Sequence, residues 1–219
     1  MTTLRGHALV FNVRSLELGG FVEQIAPSFV ERTLRERLDV RALVAHDPLR
    51  PMGRLSANTL RLRADSRGLL AEIDPPDTTS ARDALESINR GDAPGWSFAF
   101  RTLEDRWTMD GNTPLRTLLD GKIREVSCAC TWPAYPATEA AGRYARVGYA
   151  EAGTGITDRE WAQAFAERFR ALVRECPGLE ARVDYRGATP KYRRIFPGER
   201  RPYRPSLAMR RRQLLVASL

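Results

Sequence analysis

Apolar and polar positions alternate through most of the first 130 residues, and the breaks in that alternation mark the predicted elements. "LRGHALVFNV" (4–13) reads as a strand, "GGFVEQIAP" follows a glycine turn, and in "PSFVERTLRERL" (27–38) Phe29, Val30, Leu34 and Leu38 recur at helical spacing behind a proline suited to a first turn. The opening is therefore predicted as β-β-α. "DVRALVAHD" is read as a strand that stops at Asp47-Pro48, because proline cannot continue a ladder. "NTLRLRADSRGLLAEIDPP" alternates on both sides of Asp65-Ser66-Arg67-Gly68, which predicts a hairpin.

A short helix is predicted next. Thr and Ser cap candidates precede Ala81, Ala84, Leu85 and Ile88, and Gly91 follows the last periodic residue. "WSFAFRTLEDRWTMDGNTPLRTLLDGKIREVSCACTWPAYP" is read as three strand-like runs, broken at Asp110-Gly111-Asn112 and at Asp120-Gly121. The pattern changes after residue 150. "TDREWAQAFAERFRALVRECPG" has Thr157 and Glu160 at capping-box spacing and one apolar stripe of Trp161, Phe165, Phe169, Leu172 and Val173, so it is predicted as an amphipathic helix ending at Pro177-Gly178. From about Val183 onward periodicity fades, and an extended tail is expected. The predicted organisation is a folded domain over 1–150, an appended helix over 151–178 and a basic tail over 179–219. The class is α+β, mostly antiparallel with few helices.

Composition narrows the classes. A chain of 219 residues, 42% hydrophobic and 28% charged, belongs with soluble globular proteins. No run is apolar enough to span a membrane, and the N-terminal residues lack the apolar core of a signal peptide, so no membrane partner is expected and the cytoplasm is the expected compartment. Cys128, Cys130 and Cys176 show no paired metal spacing and are read as reduced core thiols; no metal and no cofactor is expected. The net charge of +8 is local. Eleven Arg or Lys between Arg182 and Arg212 face only Asp184 and Glu199, so the remainder is close to neutral. The basic pI thus describes the tail and not a face of the body.

Candidate chemistry rests on few residues. In "GWSFAFR" the two-residue period sends Trp96, Phe98 and Phe100 to one side and Ser97, Ala99 and Arg101 to the other. A serine becomes a nucleophile only when a base removes its proton, and the two histidines, His7 and His46, are the candidates. In "KIREVSCAC", Glu125 shares a face with Ser127 and Ala129 in an otherwise apolar strand, where a carboxylate needs a partner. Asp47 adjoins His46, but neighbours on a strand point to opposite sides. No nucleophile-elbow consensus is present. On the residues alone the plainer reading comes first: His46 as a polar strand-end residue, Ser97 as a small strand serine and Glu125 as a surface or salt-bridged carboxylate.

Five blocks, "GHALVFN", "GGFVEQIAPSFVERTL", "VRALVAHDPLRPMGRLSANTLRL", "GLLAEIDPPDTTSARDALESINRGDAPGWSFAFR" and "IREVSCACTWPAYPAT", resemble the tailed-phage prohead proteases in order and spacing over residues 4–140. The resemblance implies a serine endopeptidase of capsid maturation with a fold like that of the herpesvirus assemblin proteases, a β-barrel surrounded by helices. Carried over by motif, the base falls on His46 and the nucleophile on Ser97. The third member falls on Glu125, with Asp47 and His7 as alternatives. Ala99 stands where many relatives have glycine. The implied setting is the procapsid in the host cytoplasm. The implied partners are the major capsid protein and its scaffold segment, with the portal and a second copy of the chain as further candidates, and self-cleavage is implied as well. Two rival readings remain beside it: a non-catalytic capsid-assembly or scaffold protein that kept the fold, and a nucleic-acid-binding protein working through the tail, whose arginines are interleaved with Tyr185, Tyr192, Phe196 and Tyr203.

Overall fold

The computed structural model describes residues 3–138, 158–175, 180–184, 186 and 191–195. The β-β-α opening is present as β1 (Leu4–Val10), β2 (Val22–Ile25) and a 3-10 turn (Pro27–Val30) that runs into α1 (Glu31–Arg35). The alternating stretches on either side of Asp65 pair as β5 (Leu60–Ala64) and β6 (Gly68–Ile73), and β1 adds to β6 to give an antiparallel sheet of order β1-β6-β5. Asp65 closes that hairpin by accepting from the Arg67 and Gly68 amides at 2.8 and 2.9 Å. Helix α2 (Thr79–Asn89) begins at Thr78, whose hydroxyl accepts from the Ala81 amide at 3.2 Å, as the cap pattern predicts.

The larger sheet is built on two long strands, β7 (Gly95–Asp110) and β8 (Thr113–Cys130). β7 occupies one edge of β8 along its length, while β2 and β3 (Arg41–Val44) lie parallel to β8 on the other edge, at 115–118 and 125–128 respectively. All other pairings are antiparallel. Its order is β10-β9-β7-β8-β3-β4, with β2 as the seventh strand. The α+β class stands, with strands predominating. No closed barrel is detected among the described residues.

Three sequence expectations are corrected here. The chain does not leave the sheet at Asp47-Pro48: β4 (Asp47–Arg54) carries Pro48 and Pro51 as an outermost strand, paired to β3 through two register shifts. An edge position tolerates the missing amide donors. Asp120-Gly121 is not a turn either. β8 runs through it, and the glycine is required because Phe29 packs there; a Cβ would lie 2.2 Å from Phe29 Cε2. Finally, part of the stretch read as an extended tail forms β9 (Glu180–Asp184) and β10 (Lys191–Ile195), a ribbon laid on β7 at Glu104–Trp107. Residues 196–219, which hold most of the remaining arginines, lie outside the described residues, as does Cys176.

One core lies between the sheets and takes in Leu9, Ile25, Phe29, Leu69, Phe98 and Val126, together with Ala81 and Ala84 of α2. A second forms where α3 (Asp158–Glu175) and β9 cover the far half of β7. There Trp107 sits among Phe21, Phe165, Phe169 and Val183, with Leu172 and Val173 at its margin, so four of the five residues of the expected stripe face protein; the side chain of the fifth, Trp161, lies outside the described residues.

A charged network is buried beside Trp107. Arg116 on β8 donates to Asp105 Oδ2 at 2.6 Å, Glu23 Oε2 at 3.0 Å and Thr102 Oγ1 at 2.9 Å, and the Tyr135 hydroxyl donates to Glu23 Oε1 at 2.7 Å. Burial raises the Glu23 carboxyl and the Tyr135 phenol above their ordinary pKa values, and the guanidinium opposes the shift in both. Arg116→Met should therefore destabilise the fold by about 3–5 kcal/mol, because two buried carboxylates lose their cation. A lowered urea midpoint checks this. Without the cation nothing opposes the burial that raises the Glu23 carboxyl, so it titrates higher in the folded state than in the unfolded chain, folding takes up a proton there, and part of the loss should be recovered on acidification.

Candidate active site

His46 does not sit in a strand. Val44 pairs with Asp47, and the two residues between them, Ala45 and His46, both have positive φ, 46° and 63°, so they form a two-residue hairpin turn of the primed kind. Such turns favour Asn and Gly; Ala and His pay a conformational penalty of about 1–2 kcal/mol per residue. The turn is anchored onto β8 instead: the Ala45 amide donates to the Cys128 carbonyl at 2.9 Å, and the His46 amide to Ser127 Oγ at 3.0 Å. This places the imidazole above β8, its side chain 45% exposed, with Nδ1 2.5 Å from Oε1 of Glu125, whose side chain is 11% exposed. A carboxylate at Nδ1 fixes the tautomer with the proton on that nitrogen and the lone pair on Nε2. That is the arrangement of a general base.

The period-two reading of β7 and β8 places the other groups. The register Ser97↔Ser127, Phe98↔Val126 and Ala99↔Glu125 is unbroken. Directly opposed residues of an antiparallel pair project on the same face. Ser97 is therefore on the face of Glu125 and Ser127, while Phe98 and Val126 enter the core. Ser97 is half-buried, and Ser127 is fully buried. The Ser127 hydroxyl donates to Glu125 Oε2 at 2.6 Å, so both oxygens of that carboxylate are engaged. The strand before Ser97 is tied down by Thr138, whose hydroxyl donates to the Trp96 carbonyl at 2.7 Å.

The alternative third members are occupied elsewhere. Asp47 Oδ1 accepts from the Leu49 amide at 2.9 Å within its own strand. His7 Nε2 lies 2.8 Å from Asp65 Oδ2 in the three-stranded sheet. The nearby thiols are poor nucleophiles: Cys128 and Cys130 are buried, and desolvation pushes both up to about 12. Among the described residues no group of three or more His, Cys, Asp or Glu side chains could hold a metal ion, and no helix is long and apolar enough to cross a membrane. The contact that sequence reasoning missed is Ser127. Its spacing two residues after Glu125 was visible, but its bond to the His46 amide depends on a turn 81 residues away.

A family model described as caudovirus prohead serine protease matches residues 1–150. No curated protein and no solved structure matches the chain.

Proposed function

Because the chain belongs to the caudovirus prohead serine protease family, we propose that it is the serine endopeptidase of capsid maturation, with Ser97 as nucleophile, His46 as general base and Glu125 as the carboxylate that orients the base. The observation that carries this reading is the 2.5 Å pairing of His46 Nδ1 with Glu125, on the face of β8 toward which Ser97 projects from β7. The proton passes from Ser97 Oγ to His46 Nε2 as the oxygen attacks the scissile carbonyl. Glu125 stabilises the imidazolium that results. His46 then gives the proton to the leaving amine, takes another from the water whose oxygen attacks the acyl carbon, and passes it to Ser97 Oγ as the ester bond breaks, which leaves Ser97 and His46 as they began. The substrates are the scaffold segment of the major capsid protein and the enzyme's own chain, inside the procapsid. Buried Ser127 is not the nucleophile, since its hydroxyl proton is already directed at Glu125.

Co-expression with the cognate major capsid protein tests the function. Intact-mass spectrometry should find the capsid protein shortened beside the wild type and full-length beside His46→Ala. A full-length capsid protein beside the wild type as well would favour a non-catalytic assembly role.

A further inference from the structure

Ser127 has the geometry of a working part of the site although it cannot reach a substrate. Its side chain is 0% exposed, and its single oxygen makes two bonds of opposite sense. As donor it reaches Glu125 Oε2 at 2.6 Å; as acceptor it takes the His46 backbone amide at 3.0 Å. The two residues it joins are themselves bonded through Nδ1 and Oε1. A closed ring results, running from the His46 amide through the hydroxyl and the carboxylate back to the imidazole. Both torsional freedoms that would loosen the pair are thereby restrained: rotation of the carboxylate about its last bond, and relaxation of a turn whose two residues have positive φ without being glycine.

We infer that Ser127 is a positioning residue that holds the Glu125 carboxylate and the His46 turn in register with each other. The inference rests on the catalytic reading of His46 and Glu125 given above. The position of Ser127 suits the task. It lies in the middle of three adjacent strands, with Leu43 of β3 as its Cα partner on one side and Ser97 of β7 on the other. It is thus flanked by the strand feeding the base and lies directly opposite the proposed nucleophile. Without its hydroxyl the carboxylate loses a charge-assisted bond in a buried setting, and the His46 amide loses its acceptor. The imidazole can then drift relative to Ser97, and a displacement of about 1 Å is enough to cost about 100-fold in rate.

The test uses the full chain with Ser127→Ala and Ser127→Cys. The thiol is slightly larger than the hydroxyl, so it leaves no void, and it replaces a strong hydrogen-bonding group by a weak one, so it decides the matter if the alanine variant does not fold. Two readouts are taken: kcat and KM on a peptide spanning the capsid junction, and the low-field proton resonance of His46 Nδ1–H, assigned by its absence from His46→Ala. The folded Ser127 variants should show kcat reduced about 10- to 100-fold, KM within about twofold of wild type, and the resonance broadened away or shifted upfield. Wild-type kcat with an unmoved resonance in either folded variant overturns the inference. The resonance is read without turnover, so it judges Ser127 separately from the catalytic reading, which fails instead if Glu125→Gln hydrolyses the peptide at the wild-type rate.

Discussion

Ser97→Ala is expected to lower kcat by about 10⁶-fold on a peptide spanning the capsid junction, while stability changes by about 1 kcal/mol or less. The large effect follows from the register. Ser97 projects from β7 onto the face that holds the His46–Glu125 pair, and the residue opposite it, Ser127, is a serine that cannot take over. Ser127 is sealed from solvent, its proton points at a carboxylate, and its oxygen receives a backbone amide. A peptide carbonyl cannot approach it. The small stability effect follows from the alternation, since Ser97 is half-buried and it is the neighbouring Trp96 and Phe98 that pack in the core. Kinetics on the purified variant, with a urea titration alongside, check both halves of the expectation.

Glu125→Gln is expected to lower kcat by about 10⁴-fold, and Asp47→Asn to leave it within about twofold. The amide is nearly isosteric, but it cannot satisfy the site in either orientation. With its oxygen toward His46 Nδ1, its NH₂ meets the Ser127 oxygen, which already accepts the His46 amide, and the Ser127 proton loses its acceptor. With the NH₂ toward Nδ1, the imidazole must place its proton on Nε2, and the lone pair needed to accept the serine proton is gone. Either arrangement also removes the negative charge that stabilises the imidazolium. Asp47 differs because its carboxylate caps its own strand through the Leu49 amide. Comparing the two variants by kcat, with circular dichroism to confirm folding, separates the orienting carboxylate from its sequence neighbour.

The parts of the fold that were legible in the sequence are those determined locally. The β5–β6 hairpin follows from alternation around an Asp-x-x-Gly turn, and α2 from a threonine cap and an apolar stripe. The parts misread depend on neighbours distant in sequence. Pro48 and Pro51 look like strand breakers until β4 is known to be outermost. Gly121 looks like a turn until Phe29 is seen to need its space. β9 and β10 lie in an arginine-rich segment with little periodicity, and their place is set by β7.

The candidate site divides in the same way. The faces of Ser97 and Glu125 follow from a period of two and were readable. The position of His46 was not, because residues 45–46 form a tight turn without the usual Asn or Gly, so a strand-based argument about where Asp47 points did not apply. The Arg116 network escaped notice for a related reason, its cation and its Glu23 partner being 93 residues apart.

The central claim is that the His46–Glu125 pair activates Ser97 for attack on a carbonyl, and covalent trapping addresses it most directly. The full-length protein is treated with a mass-tagged organophosphorus fluoridate, which transfers its phosphoryl group to an activated serine with loss of fluoride, and the modified residue is mapped by peptide mass spectrometry. The account predicts modification of Ser97, slowed at least about 100-fold in His46→Ala, with Ser127 unmodified. Modification at another serine, or labelling of Ser97 at an undiminished rate without the imidazole, would contradict it.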